Sequence, residues 1–336
     1  MVGLKGSVSS MASTVLIALA VLAASAFSAP LLQAREIRLG HNAPTNDPRH
    51  ESLVEFAALV AERSKGALRV KIFPKNTIGK DRERIEQMQA GLLEMSLTGE
   101  ILANFDSRWS IISMPYLWRD QDHLRRFLRS DTVSVWKAET ARTTGLRVLG
   151  FIERNPRILT TREKPIDRLE DLRGLRIRVP KINAYMDTWR AFGVEPKPMS
   201  SSEFFLALKS GAVDGMENPI EVMSSWKIYE VSKYLTFTNH MLTRLFLVAS
   251  ARFMDSITPE QREIVEQAAG EIEKRHALKM TAMVEGFIRN LEAKGMILNR
   301  DPDLAAFKRV AKTVHIKYMN AFGRAAYDFA TRQRTE

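Results

Sequence analysis

Segments with strand periodicity alternate with segments of helix periodicity along this chain, and the alternation occurs twice. In the first series, strands are predicted over residues 36–41, 68–73 and 92–97, with helices between them that end near Ser64 and at Gly91. Such alternation is typical of βαβ units, in which helices cover both faces of a parallel sheet. The first half of the chain therefore predicts an α/β lobe with a parallel sheet.

The second series repeats this pattern from residue 146 onward. A helix is predicted from Pro180 to about Phe192, and Ser200 with Glu203 forms a capping box that opens another. The predicted strands cover residues 146–152, 157–161, 175–179 and 213–216. Because a chain of 336 residues is long for one domain, we expect two α/β lobes divided near residue 154.

One predicted helix is much longer than the others. Thr258 and Gln261 form a capping box around Pro259, which suits the first helical position. Mostly apolar residues then recur at every fourth position until Gly295, which predicts a helix of about 36 residues and roughly 54 Å. A single lobe does not need that length, whereas a helix lying across both lobes does. The alternative is two helices separated by a break near Gly270.

The N-terminal residues have the composition of a secretory signal peptide. Residues 14–27 are apolar, and Lys5 is the one charged residue before Arg35. This run has the length of a signal-peptide core and is short for a membrane span. Small residues at the cleavage sites predict a signal peptide over residues 1–34, removed between about residues 26 and 34. The alternative, a buried helix of the mature domain, fits less well because the run has no polar face.

Composition and motifs exclude several classes of function. The chain contains no cysteine, which excludes disulfides, thiolate metal sites and catalytic thiols. Its formal net charge is +11, but basic residues are interleaved with acidic ones, as on solvated helix faces. Motifs of phosphate-binding loops, serine hydrolases and zinc proteases are absent, and the six histidines show no helical pairing. These absences leave enzymatic chemistry open, but no motif points to it, so we predict no enzyme, no cofactor, no metal and no nucleic-acid partner.

Polar side chains follow several predicted strands at their carboxyl ends, where ligands bind in open α/β sheets. Asn42 follows the first strand, Asp81 opens a helix beside it, and Asn218 follows a strand of the second series. Arg178 lies near the end of its strand, on the face that it shares with Arg176. Each of these could instead be an exposed or capping residue. Together they predict a cleft between two lobes with an arginine floor.

Ordered motifs over most of the chain resemble those of one family. The most specific are residues 174–180 (GLRIRVP), 203–208 (EFFLAL) and 211–219 (GAVDGMENP), supported by 39–42 (LGHN) and 114–116 (MPY). In this order they resemble the periplasmic solute-binding subunits of tripartite ATP-independent periplasmic (TRAP) transporters, of the DctP type. The resemblance extends from about residue 36 to about residue 325.

The resemblance implies a periplasmic-binding-protein-like fold: two α/β lobes with central sheets, crossing segments between them, and a long helix behind both. It places residues 35–154 and 243–283 in lobe I, and residues 155–242 and 284–336 in lobe II. It also implies a periplasmic location, capture of a small organic-acid anion, and delivery of that anion to TRAP membrane subunits. Delivery to a sensor kinase is an alternative use of the same binding, and an exported α/β enzyme is the competing class.

The resemblance also assigns ligand-binding residues. It implies that Arg178 forms a bidentate ion pair with the ligand carboxylate, a geometry that a planar guanidinium provides and a lysine does not. Arg157 matches a second arginine that assists. Further contacts fall on Asn218, Asn42, Asp81 and the segment from Thr98 to Glu100.

Differences from the sialic-acid branch of the family bear on the ligand. The sialic-acid branch has an aromatic residue at the position of Ser201, an acid near Thr98 and an arginine near Ile101. The absence of these side chains here argues against sialic acid as the ligand. Glu100, if it faces the cleft, could accept hydrogen bonds from ligand hydroxyls and so favours a uronate or an aldonate. A surface or loop role for Glu100 is the alternative. A C4-dicarboxylate is the next candidate and would need a second cation, such as Arg157.

Overall fold

The computed structural model describes residues 1–2 and 34–332 of the chain. The predicted signal peptide, apart from Met1, Val2 and Ala34, lies outside the described residues. Within the described ranges, no helix has the length and apolar character needed to cross a membrane.

The structure consists of strands and helices in alternation, as the periodicity predicts. The strands are β1 (Arg35–Gly40), β2 (Leu68–Phe73), β3 (Met95–Thr98), β4 (Leu146–Glu153), β5 (Arg157–Thr161), β6 (Arg176–Val179), β7 (Glu195–Pro198), β8 (Gly215–Pro219), β9 (Tyr234–Met241), β10 (Arg244–Ser250) and β11 (Ile297–Asn299). The helices are α1 (Pro48–Arg63), α2 (Asp81–Ala90), α3 (Gln121–Leu128), α4 (Asp131–Thr144), α5 (Asn183–Ala191), α6 (Phe204–Ser210), α7 (Ile220–Ser225), α8 (Ala251–Ser256), α9 (Pro259–Ala293), α10 (Ala305–Phe322) and α11 (Arg324–Arg332). Short 3-10 turns cover Glu100–Asn104 and Ser107–Ser113.

The first sheet has the strand order β2-β1-β3-β10-β4. Strands β1 and β3 are parallel, with Leu39 opposite Met95, as the βαβ pattern predicts. Strand β10 is antiparallel to both β3 and β4. The prediction of a purely parallel sheet is therefore wrong. The reason is that β10 does not reach this sheet through a βαβ crossover from β3 or β4, because the chain returns to it directly from β9 of the second sheet.

The second sheet has the strand order β11-β9-β5-β8-β6-β7. Strand β6 is parallel to β7 and β8, whereas β5 is antiparallel to β8 and β9. Gly215 allows β8 to lie close to β5, because a Cβ atom there would be 2.4 Å from the carbonyl oxygen of Thr160. The register pairs Asn218 with Ile158 and Arg157 with Pro219. The start of β5 and the end of β8 therefore bring their polar side chains to the same end of the sheet.

Each sheet has its own apolar core, and helix α9 belongs to both. Ile272 of α9 is buried in the cluster that contains Ile37 of the first sheet, and Ile288 in the cluster that contains Met216 of the second. The helix is continuous over 35 residues, so the alternative of two helices broken near Gly270 is wrong. Two α/β lobes spanned by a single long helix are confirmed.

The last two helices contact segments on both sides of the predicted division. Helix α10 packs on α5 and on the turn Ser107–Ser113, and α11 packs on α3. Their side chains join one apolar cluster that includes Trp109 and Trp189. The two sheets define the two lobes, and the residue boundaries assigned to each lobe stay a prediction.

Helix α9 offers a matched pair of substitutions that tests its role in the core. Ile272 is fully buried, whereas Leu278 on the same helix is 75% exposed. We expect Ile272→Ala to lower the free energy of unfolding in urea by about 2–5 kcal/mol, because it removes buried methyl groups and leaves a cavity. Leu278→Ala should change it by less than about 0.5 kcal/mol. Equal effects of the two substitutions would contradict the packing of α9 on the first sheet.

Candidate anion-binding site

A cavity of about 240 Å³ lies between the two sheets and is lined by residues of both. Elements of the first lobe supply Asn42, Asp81 and Glu100, and strands of the second lobe supply Arg157, Arg178 and Asn218. The structure thus brings all six predicted site residues to one cavity. Glu100 is 3% exposed, which places it at the cavity wall and away from the outer surface.

Arg178 is held at the floor of the cavity by the backbone of β6. Its side chain is buried, Nη2 donates to the carbonyl oxygen of Met199 at 2.6 Å, and the guanidinium lies 5.1 Å from the ring centre of Phe204. Within the described part of the chain, its Nε has no hydrogen-bond partner and no carboxylate forms an ion pair with it. Burial lowers the pKa of Arg178 to about 10, so the group is still a cation at neutral pH.

Arg157, by contrast, has a carboxylate partner inside the protein. Its Nη2 donates to Glu217 Oε1 at 2.8 Å, and its guanidinium lies 4.9 Å from the ring centre of Tyr185. Burial by itself would raise the pKa of Glu217, but the charge and hydrogen bonds of Arg157 and His240 lower it to about 2. The charge of Arg157 is therefore already matched. Its direct contact with a ligand stays a prediction, and its Nη2 also donates to Asn218 Oδ1 at 3.3 Å.

The first-lobe residues Asn42 and Asp81 form a connected pair. Asn42 Nδ2 donates to Asp81 Oδ2 at 3.2 Å, and Arg84 Nη2 donates to the other carboxylate oxygen at 2.5 Å. Arg49 Nη1 lies 3.4 Å from Asn42 Oδ1 and is itself held by Asp47. The charge of Asp81 is thus matched by a buried arginine, and its position is fixed at the start of α2.

Sequence reasoning missed Arg154, which lines the same cavity. It lies in the segment that joins β4 to β5, is 4% exposed, and donates from Nη2 to Asn218 Oδ1 at 3.3 Å. Its Nη1 is 3.8 Å from Glu100 Oε1, and its Nε is 3.6 Å from Glu221 Oε1. The available signal was its place in a crossing segment, only three residues before Arg157.

Polar contacts connect the lobes beside the cavity, among them those of Asn76, Asn104 and Lys80. Asn76 Nδ2 donates to Ser201 Oγ at 3.1 Å, and Asn104 Nδ2 donates to the carbonyl oxygen of Lys181 at 2.8 Å. Lys80 and Glu203 form a half-exposed ion pair at 3.8 Å. These contacts hold the two walls of the cavity close to each other.

Two lobes around a buried cavity lined by cations are the arrangement of periplasmic binding proteins that close around a ligand. The family model of bacterial extracellular solute-binding proteins, family 7 (DctP), matches residues 39–321. The chain therefore belongs to this family, and the predicted TRAP solute-binding protein of DctP type is confirmed.

Known relatives and solved structures cover most of the chain. A solute-binding protein of Roseobacter denitrificans is 31% identical over 300 residues, which are 88% of this chain and 91% of the relative. A TRAP solute-binding protein structure from the same organism, with bound L-galactonate, has a TM-score of 0.82 at 29% identity, over 85% of this chain and 94% of that one. A Polaromonas TRAP solute-binding protein structure bound to D-erythronate has a TM-score of 0.85 at 26% identity, and the match covers 88% of this chain and 98% of that one. These similarities support a solute-binding protein over an enzyme.

Removal of the Glu217 carboxylate should strongly destabilise the folded protein, because this carboxylate is the partner of Arg157. Glu217→Gln leaves a buried guanidinium without a counterion, so we expect the free energy of unfolding in urea to fall by about 3–5 kcal/mol at pH 7. The loss should shrink at acid pH. With its pKa lowered from 4.5 to about 2 by folding, this carboxyl group contributes stability above pH 4.5 that disappears as the pH falls towards 2.

Glu195→Gln is the matched control for this substitution. Glu195 forms an exposed pair with Lys197 on β7, so we expect its loss to change the free energy of unfolding by less than about 1 kcal/mol. Equal losses in the two variants would show that the buried pair contributes no more than a surface pair.

Proposed function

We propose that this protein binds a sugar-acid anion in the periplasm, through an ion pair between the ligand carboxylate and Arg178, and delivers it to TRAP membrane subunits. The observation that carries the proposal is a buried guanidinium in the cavity that forms no ion pair with a carboxylate of the described residues and whose Nε has no hydrogen-bond partner among them. Burying a charge is unfavourable unless it is paired, so a bound carboxylate would stabilise Arg178.

A hydroxylated acid suits the rest of the cavity wall. Asn42, Asn218 and Glu100 supply amide and carboxylate groups that can donate to or accept from ligand hydroxyls. The positive charge of Arg157 is matched by Glu217, which argues against its use for a second ligand carboxylate. The similar structures with L-galactonate and D-erythronate support the same ligand class, with a C4-dicarboxylate as the next candidate.

Delivery requires that binding be coupled to the arrangement of the two lobes. A ligand on Arg178 that also reaches Asn42 or Glu100 would contact both lobes at once. Such a ligand favours the closed arrangement, because that arrangement alone offers both sets of contacts. In that arrangement the hydrogen bonds from Asn76 to Ser201 and from Asn104 to Lys181 join the two lobes. The joined lobes would then form one surface for the membrane subunits. The predicted signal peptide supports export to the periplasm.

A thermal-shift screen tests the ligand class. The panel contains aldonates, uronates, C4-dicarboxylates and sialic acid, and a ligand at 100 times its Kd should stabilise the folded protein by about 2.7 kcal/mol. We expect the largest shifts with aldonates or uronates. Shifts confined to C4-dicarboxylates, or turnover of a bound acid, would contradict the proposal.

Substitution of Arg178 tests the ion pair itself. We expect Arg178→Lys and Arg178→Met to weaken binding of the best sugar acid by about 2–5 kcal/mol, roughly thirtyfold to several thousandfold in Kd, measured by calorimetry. The control is Arg176→Lys on the same strand, since Arg176 is bound to Asp214 and does not line the cavity. Unchanged affinity in the Arg178 variants would show that the carboxylate is held elsewhere.

A further inference from the structure

The cavity contains another buried guanidinium, that of Arg154, whose surroundings differ from those of Arg178 and Arg157. Arg154 lies beside two carboxylates, with Glu100 Oε1 at 3.8 Å and Glu221 Oε1 at 3.6 Å. Both distances exceed those of hydrogen bonds. Within the described residues, Arg154 Nε and the two Oε1 atoms are buried and make no hydrogen bond. Arg154 and Glu100, but not Glu221, line the cavity.

These groups lie away from the proposed carboxylate site. Arg178 is on β6, and Arg154 precedes β5, with strand β8 between the two. Neighbouring strands are about 4.8 Å apart, so β5 and β6 are separated by roughly 10 Å. A ligand that has its carboxylate on Arg178 and extends across β8 would bring its far end towards Arg154 and Glu100.

The charges at this far end disfavour a second carboxylate. Arg154 is already flanked by two acidic groups, one of which faces the cavity. A ligand carboxylate there can only accept hydrogen bonds, and it would place a negative charge beside Glu100. A methyl group would leave the unpartnered oxygen of Glu100 buried without a hydrogen bond.

A hydroxyl group adds no negative charge beside Glu100 and can still donate a hydrogen bond to its carboxylate. An oxygen about 2.8 Å from both Arg154 Nη1 and Glu100 Oε1 can bridge them, accepting from the guanidinium and donating to the carboxylate. We infer that Arg154 and Glu100 select a ligand hydroxyl at the end of the molecule farthest from the carboxylate, so that the site takes polyhydroxy monocarboxylates and rejects the corresponding dicarboxylates. This inference rests on the proposed function and adds a determinant of specificity to it.

Two matched ligand series test the inference on the unmodified protein. The first is L-galactonate, its 6-deoxy analogue L-fuconate, and the dicarboxylate galactarate; the second is D-gluconate with D-glucarate. Calorimetry should show that the better-bound aldonate binds at least about tenfold more tightly than its dicarboxylate, and L-galactonate at least about tenfold more tightly than L-fuconate. Equal affinities within the series would overturn the inference.

Substitution of Glu100 tests which residue sets the preference. Glu100→Gln keeps the shape and a hydrogen-bonding oxygen but removes the charge, so the preference for aldonate over dicarboxylate should fall about tenfold or more. Glu195→Gln removes one negative charge from the same protein outside the cavity and should leave the preference unchanged. An unchanged preference in Glu100→Gln, or an equal change in both variants, would overturn the inference.

The two proposals fail in different ways. If no aldonate or uronate of the thermal-shift panel binds the unmodified protein at millimolar concentration, the sugar-acid function is wrong and the inference falls with it. If an aldonate binds and requires Arg178, but its preference over the dicarboxylate is independent of Glu100, the function stands and the inference alone is wrong.

Discussion

The buried guanidinium of Arg178 is the interaction on which the binding cleft depends. A cation removed from water needs a negative partner, and inside the described protein Arg178 has only a carbonyl oxygen and an aromatic ring. Strand β6 lies between β7 and β8, so its backbone holds the side chain in place. The same burial that makes the charge unfavourable makes a carboxylate ligand favourable, because a low-dielectric site strengthens their attraction.

Three of the other buried arginines around the cavity already have close carboxylate partners. Arg157 is paired with Glu217, Arg49 with Asp47, and Arg84 with Asp81. Breaking such a pair leaves an uncompensated buried charge, so these arginines hold strands and loops in position. The contrast between matched and unmatched arginines separates the residues that build the cleft from the one that we propose binds the carboxylate. Arg154 differs from both kinds of arginine, because two carboxylates lie near it, at 3.8 Å and 3.6 Å, without forming hydrogen bonds to it.

Local signals in the sequence were sufficient for many elements of the fold. The capping box at Thr258 and the four-residue apolar repeat predicted helix α9 to within a few residues, because both signals act within one or two turns. Strands β2 and β5 were predicted at their observed bounds from alternation and from the prolines beside them. The direction of the strands could not be predicted from periodicity. The antiparallel insertion of β10 depends on the path of the chain between the lobes, and periodicity carries no information on that path.

The sequence by itself determined the class of this protein: two series of strands and helices, a helix long enough for both, and motifs that place Arg178, Asn218 and Asn42 at strand ends. Which charges are matched was decided only by the tertiary structure. Arg157 and Glu217 are sixty residues apart in the chain, and Arg154 and Glu100 belong to different segments, so only the folded sheets bring them together. The physical reason is that ion pairing and desolvation depend on distances of a few ångströms, and the fold sets those distances between residues far apart in sequence.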